Sequence, residues 1–200
     1  MHWDRLFEDL EGQLASEWEA ERAALDAETE RLRISKLELR RRLQLLQRQG
    51  AVVHVELADR QRRTVRLHAV GADWVGMQET DAVAVLLAPT RAITSMAVDH
   101  GMLLASLEES SPEKTGTQPS LRERMSLGFV LRDLARRRVP MRFALRDGET
   151  VFGTVDRAGA DHLDLALHDQ GEPRRAGAVR GFRIIPFDAV VWASMESASL

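Results

Sequence analysis

Apolar residues recur at helical spacing through the first fifty positions of the chain. Trp3, Phe7, Leu10 and Leu14 follow a 4-3-4 spacing that lays one stripe along a helix. Trp18, Leu25, Leu32, Leu39 and Leu46 then recur every seven residues. Arg22, Thr29 and Lys36 occupy the intervening seam, and only Leu43 fits it. No Pro interrupts and Gly12 is the sole weak point before Gly50, so the pattern predicts one helix over 3–49. Such a helix would extend about 70 Å at roughly 1.5 Å per residue, too far for one small domain to cover. Either part of it meets another helix or subunit, or it stands solvated and docked at one end; pairing is the preferred reading.

Past Gly50 the period changes to two. Val53, Val55 and Leu57 alternate with His54 and Glu56, the pattern of a half-buried strand. Val65 with Leu67, Val75 with Met77, 83–87 and 93–98 mark four more, the last entered through Pro89. A second series follows at 141–145, 151–155, 162–167, 181–185 and 190–193, with Pro186 before the last. Asp147-Gly148 suits a hairpin turn. Gly71 and Gly159 are read as turn positions where a positive φ is cheap. Residues 121–138 form a helix that Pro140 ends.

The two series match each other. Residues 37–77 shifted by 88 positions fall on 125–165 without a gap. Leu39, Leu43 and Leu46 land on Leu127, Leu131 and Leu134, and Gly71-Ala72-Asp73 lands on Gly159-Ala160-Asp161. An internal repeat constrains architecture more than propensity does. The expected fold is α+β: a long N-terminal helix followed by two tandem helix-plus-five-strand small β-barrels. The expected divisions are a long amphipathic helix over 1–50, whose C-terminal part belongs to the first repeat, and a first barrel over 51–105. A flexible tether over 106–120, rich in Ser, Glu, Pro, Thr and Gly, leads to a helix plus second barrel over 121–200. Only the second copy carries a long insertion between its third and fourth strands.

Composition narrows the classes. With no Cys, disulfides, thiolate metal sites and cysteine nucleophiles are excluded. No apolar run approaches the roughly 20 residues that span a bilayer, so a cytoplasmic protein without a membrane partner is expected. The net charge of −3 hides segregation: −8 over residues 1–30 against +6 over 31–50. Overall acidity argues against a dedicated nucleic-acid coat but leaves local basic patches open.

A helix followed by five short strands, with a Pro turn before the last, resembles the Sm-like and SH3-like small barrels. Residues 148–155, Gly-Glu-Thr-Val-Phe-Gly-Thr-Val, resemble their bent second strand, with Gly153 as the mid-strand glycine. Residues 178–185, Ala-Val-Arg-Gly-Phe-Arg-Ile-Ile, resemble the second Sm signature, whose Arg-Gly pair meets RNA in that family. Gly159 and Leu163 stand near the places of that family's base-holding Asp and Asn. The first copy has Val65 for the strand glycine and lacks the Arg-Gly pair, so the implied RNA contact is confined to the second copy. The whole chain is also similar to a group of uncharacterised actinobacterial proteins. They share Trp-x-x-Leu-Phe-x-x-Leu-Glu (Trp3 to Glu11), the Gly-Ala-Asp turn, and Glu-Pro-Arg-Arg…Ala-Val-Arg-Gly…Pro-Phe (Glu172 to Phe187). Some carry a label as Fis-like transcriptional regulators, which implies a regulatory expectation only.

The chemistry-bearing residues do not assemble into a catalytic set. His162 and His168, with Asp161, Asp164 and Asp169, come nearest to a metal shell, but no second cluster completes it. Phosphate loops and the nucleophile elbow are absent. A non-enzymatic protein without cofactor or metal is therefore expected, and two surfaces stand out. The first is basic: Arg132, Arg136, Arg137 and Arg138 end a helix, and Arg174, Arg175, Arg180 and Arg183 lie in and beside the insertion. If the insertion folds back toward the helix end, these eight would suit phosphate. Alternatively they pair with Glu17, Glu19, Glu21, Asp26, Glu28 and Glu30 of the long helix. The second surface is apolar: Trp3, Phe7, Leu10, Leu14, Trp18, Leu25 and Leu32, together with Trp74. Strand alternation turns Trp74 outward, either as an interface anchor or covered by the long helix. The expected function is a binding and assembly protein that self-associates or engages a partner protein through the N-terminal helix and barrel surfaces. The alternative is a nucleic-acid-binding regulator using the arginines of the second barrel.

Overall fold

The computed structural model describes residues 2–82, 84–107, 120–171, 174–175 and 177–195, with side chains from residue 11 onward. Val83, residues 108–119 of the expected tether, and Glu172 and Pro173 of the insertion lie outside the described residues. Two units result: residues Met1–Glu38 and residues Leu39–Leu200.

The single helix expected over 3–49 is divided. Helix α1 (His2–Ser35) belongs to the first unit, and α2 (Leu39–Arg48) opens the second. Lys36 N–H donates to the Arg33 carbonyl and Leu37 N–H to Ile34, three residues back rather than four, and the helix ends there. The same step recurs 88 positions on, where Met125 N–H donates to Arg122 between α4 (Leu121–Arg124) and α5 (Leu127–Arg137). Neither break carries Pro or Gly, so the apolar period runs through both.

In the second unit ten strands follow: β1 (Val52–Leu57), β2 (Arg62–Val70), β3 (Trp74–Glu79), β4 (Val85–Pro89), β5 (Ile93–Ala97), β6 (Pro140–Leu145), β7 (Thr150–Ala158), β8 (His162–Leu167), β9 (Gly181–Pro186) and β10 (Val190–Met195). A short helix, α3 (His100–Ala105), follows β5, with Asp99 capping its N-terminus by accepting from Met102 N–H. The two small barrels expected from the sequence are not what forms. All ten strands make one open antiparallel sheet, in the order β5-β1-β2-β3-β4-β10-β6-β7-β8-β9. Closing a barrel would require β4 to pair with β5 of its own half. Instead a one-turn 3-10 helix after Pro89 carries the chain to β1, and β4 pairs with β10 of the other half.

The halves agree in register. Leu57 faces Ile93 as Leu145 faces Val190, and bulges fall at Leu67/Ala69 and at Val155/Arg157. Each half also buries one helix against its second strand: α2 on β2, α5 on β7. The inward residues follow the predicted alternation, with Val53, Val55, Leu57, Val75 and Met77 all buried.

The cores interlock. Ala144 and Val191 of the second half pack into the cluster of Leu43, Leu46, Val53 and Met77. Trp74 and Leu87 of the first half pack with Leu127, Leu131, Phe143 and Phe187. Trp74 therefore corrects its sequence reading: it is 6% exposed, and residues of the second half cover it. Alternation assumed one wet face, and the second half removes it. The indole folds back over Gly71, where a Cβ would lie 2.1 Å from Nε1. Close approach, not positive φ, is thus what glycine supplies at 71, and at 159 beneath the His162 ring. Trp74 Nε1–H donates to the Met125 carbonyl at 2.9 Å, and the neighbouring Asp73 carboxylate accepts from Leu127 N–H at 2.6 Å, capping α5.

Two substitutions test this packing. Trp74→Phe should cost about 1 kcal/mol for the lost hydrogen bond, and Trp74→Ala about 3–5 kcal/mol for the cavity. Urea unfolding followed by circular dichroism measures both; if the indole is as exposed as alternation suggested, neither shifts the midpoint. Gly153→Ala should cost on the order of 1–3 kcal/mol, because a Cβ there would lie 2.2 Å from the Ala166 carbonyl oxygen.

Candidate functional site: interaction surfaces

The basic residues are placed on acids of their own half. Arg138 ends α5 in the left-handed conformation (φ 56°), at the position where the first half has Gly50 (φ 65°). Its guanidinium meets Asp156 of β7 at 2.8 Å, and Arg174 from the insertion meets the same carboxylate at 2.5 Å. The insertion therefore does fold toward the helix end, but it converges on an acid. Arg137 pairs with Asp133 (2.8 Å), Arg183 with Glu149 (2.7 Å) and Arg180 with Asp169. Arg132 donates to the Gly159 carbonyl at 2.9 Å, while Arg136 and Arg175 are exposed. Five of the eight arginines thus face a carboxylate of the second half. In α1, Glu28 and Glu30 pair with Arg31 and Arg33.

Asp156 is the focus of this arrangement. Burial works to raise its carboxyl, yet the hydrogen bonds and charge of Arg174, with those of Arg138, outweigh burial and hold it below the ordinary aspartate range.

His54, His68, His162 and His168 each meet a nearby hydrogen-bonding partner. His168 is buried, with Nδ1 donating to the Asp169 carbonyl at 3.0 Å and Nε2 meeting the Thr154 hydroxyl at 2.9 Å. Phe152 lies edge-on to its ring. Among the described residues no three His, Asp or Glu side chains converge as a metal site.

Two features were not read from the sequence. Trp192 of β10 donates to Asp59 at 2.9 Å, and the Arg63 guanidinium lies 5.5 Å from its ring centre. Arg63 in turn bridges Asp59 (2.6 Å) and Glu79 (3.1 Å), so the first half clasps a residue of the second. Residues 133 positions apart meet here, and no local pattern signals such a pairing. The other feature is a groove of about 250 Å³, apolar at Leu39, Leu46, Ile93, Met96, Val98 and Leu103, between α2, β5 and α3.

The apolar residues of α1 divide by what is described. The side chains of Trp3, Phe7 and Leu10 lie outside the described residues, whereas Leu14, Trp18, Leu25 and Leu32 are all exposed. No described helix is long and apolar enough to cross a membrane. Comparison with protein-family models, with curated proteins and with solved structures gives no match to this chain.

A carboxylate held down in the folded chain contributes stability that is present above its unfolded pKa and lost as pH falls through the folded one. For Asp156 that loss falls below roughly pH 4. Arg174→Gln leaves burial opposed by Arg138 alone, so the folded carboxyl lies closer to its unfolded range and the stability lost on acidification should be smaller in this variant. Urea midpoints measured across the acid range decide it; parallel curves for wild type and variant would show that Arg174 does not set this carboxyl.

Proposed function

We propose that this protein is a non-enzymatic assembly protein that associates through α1 with a second copy of itself or with a partner helix of matching spacing. The observation that carries this reading is the α1 stripe. Leu14, Trp18, Leu25 and Leu32 lie between 53% and 68% exposed, at spacings of four, seven and seven. That is one seam of a coiled coil. Burying such a side chain contributes roughly 1.5–3 kcal/mol before the costs of association. Glu21 and Arg22 lie between Trp18 and Leu25 along a shallow surface groove, giving the seam a charged border.

The arginines of the second half support the same reading by their pairing. A phosphate would have to compete with Asp133, Glu149, Asp156 and Asp169 for them.

The test uses the full chain. Trp18→Glu combined with Leu25→Glu should lower the mass measured by light scattering while leaving the circular dichroism spectrum unchanged, because both residues are exposed. An unchanged mass in the double variant, or a wild type that is monomeric at every concentration, overturns the reading.

A further inference from the structure

Among the described residues, the ten-stranded sheet ends on two strands, β9 and β5, each with one side that no other strand pairs. Such edges are usually short, charged, bulged or covered, because their open backbone groups invite another strand. Here β9 carries Phe182 and Ile184, both exposed.

The register shows what these edges correspond to. His162 faces Pro186 as Trp74 faces Pro89, so β9 is the counterpart of β4. Likewise His54 faces Ala97 as Arg142 faces Ser194, so β5 is the counterpart of β10. Within the chain β4 and β10 are joined, Leu87 facing Ala193 and Leu86 facing Ser194. The two free edges are therefore the unpaired counterparts of the two joined ones.

Side chains at matched positions differ in the way this predicts. Leu87 is 6% exposed at the internal joint, and its counterpart Ile184 is 74% exposed. On the other side of the joint Leu127 is 2% exposed, and its counterpart Leu39 is 44% exposed and lines the groove beside β5. Asp73 caps α5 at Leu127 N–H, while the carboxylate of its counterpart Asp161 is almost fully exposed and, among the described residues, meets only His162. Leu87, Leu127 and Asp73, engaged at the internal joint, thus all have exposed counterparts at the outer edges.

We infer that copies of this chain join head to tail. The β9 edge of one copy pairs with the β5 edge of the next, Ile184 enters the groove at Leu39, and Asp161 reaches the head of α2. Transposing the internal register sets Ile184 against Met96 and Arg183 against Ala97. The occupant of the groove is thus a second copy, and the internal joint is its template. The interface is heterologous, so repeating it yields a ring or a filament according to whether the rotation closes. His162 stands where Trp74 clasps the internal joint, and Ser95 where Trp192 does. Lacking both indoles, the joint between molecules is the weaker of the two and depends on concentration.

The residues of this surface all lie outside α1, and the experiment isolates them by using full-length chains that all carry Trp18→Glu/Leu25→Glu. Sedimentation velocity over a concentration series should show reversible growth beyond the monomer. Ile184→Glu and Leu39→Glu, both at exposed positions, should each weaken that growth by roughly thirtyfold or more. An equimolar mixture of the two variants retains one intact joint and should give a two-chain species and nothing larger. Misfolded variants would not complement in this way. A chain that stays monomeric at all concentrations, growth insensitive to either substitution, or a mixture that fails to restore the two-chain species overturns the inference. Loss of growth with only one of the two substitutions overturns it as well, since that would mark a symmetric contact.

Discussion

A strand with one side paired must have its other side paired, covered or left open to solvent, and β4 meets this constraint with β10. That choice organises the second unit. Because β4 turns to the other half, neither set of five strands closes, and the sheet runs on through ten. Because the halves abut there, Trp74 and Leu87 enter one core while Ala144 and Val191 enter the other. Asp73 then lies at the head of α5, and Asp59 and Arg63 reach Trp192. Breaking the joint would expose apolar surface on both sides at once, which makes residues 39–200 one cooperative body.

The same constraint gives the proposed association its logic. Joining two similar halves by unlike edges consumes one edge of each and leaves the complementary pair free. The two indoles at the internal joint are absent from the outer edges, so the proposed contact between copies would be the weaker and the reversible one. Association through the α1 stripe is a separate proposal, resting on a different element with a different geometry.

The arginines illustrate how charge is settled by folding. Eight bases near one helix end and one loop look like a phosphate surface when counted along the chain. In the structure Asp156 draws Arg138 and Arg174 together, and Asp133, Glu149 and Asp169 take three more. Asp133 and Arg137 are an i,i+4 helix pair, but no spacing rule connects the other three acids, at 149, 156 and 169, to their partners.

Local chemistry determined much of this protein directly. The period-two runs place Val53, Val55, Leu57 and Met77 inward because strand geometry leaves no other choice. Leu43 and Leu131 mark the buried faces of α2 and α5, Asp147-Gly148 makes its hairpin with Gly148 at φ 88°, and Pro186 precedes the last strand. What the sequence could not determine is which strand completes an open edge, since backbone hydrogen bonds carry no residue identity. β4 could close on β5 or cross to β10, and only packing of the two halves selected the crossing. Trp74 follows from that selection: its outward side by alternation became an inward side once a second half lay over it.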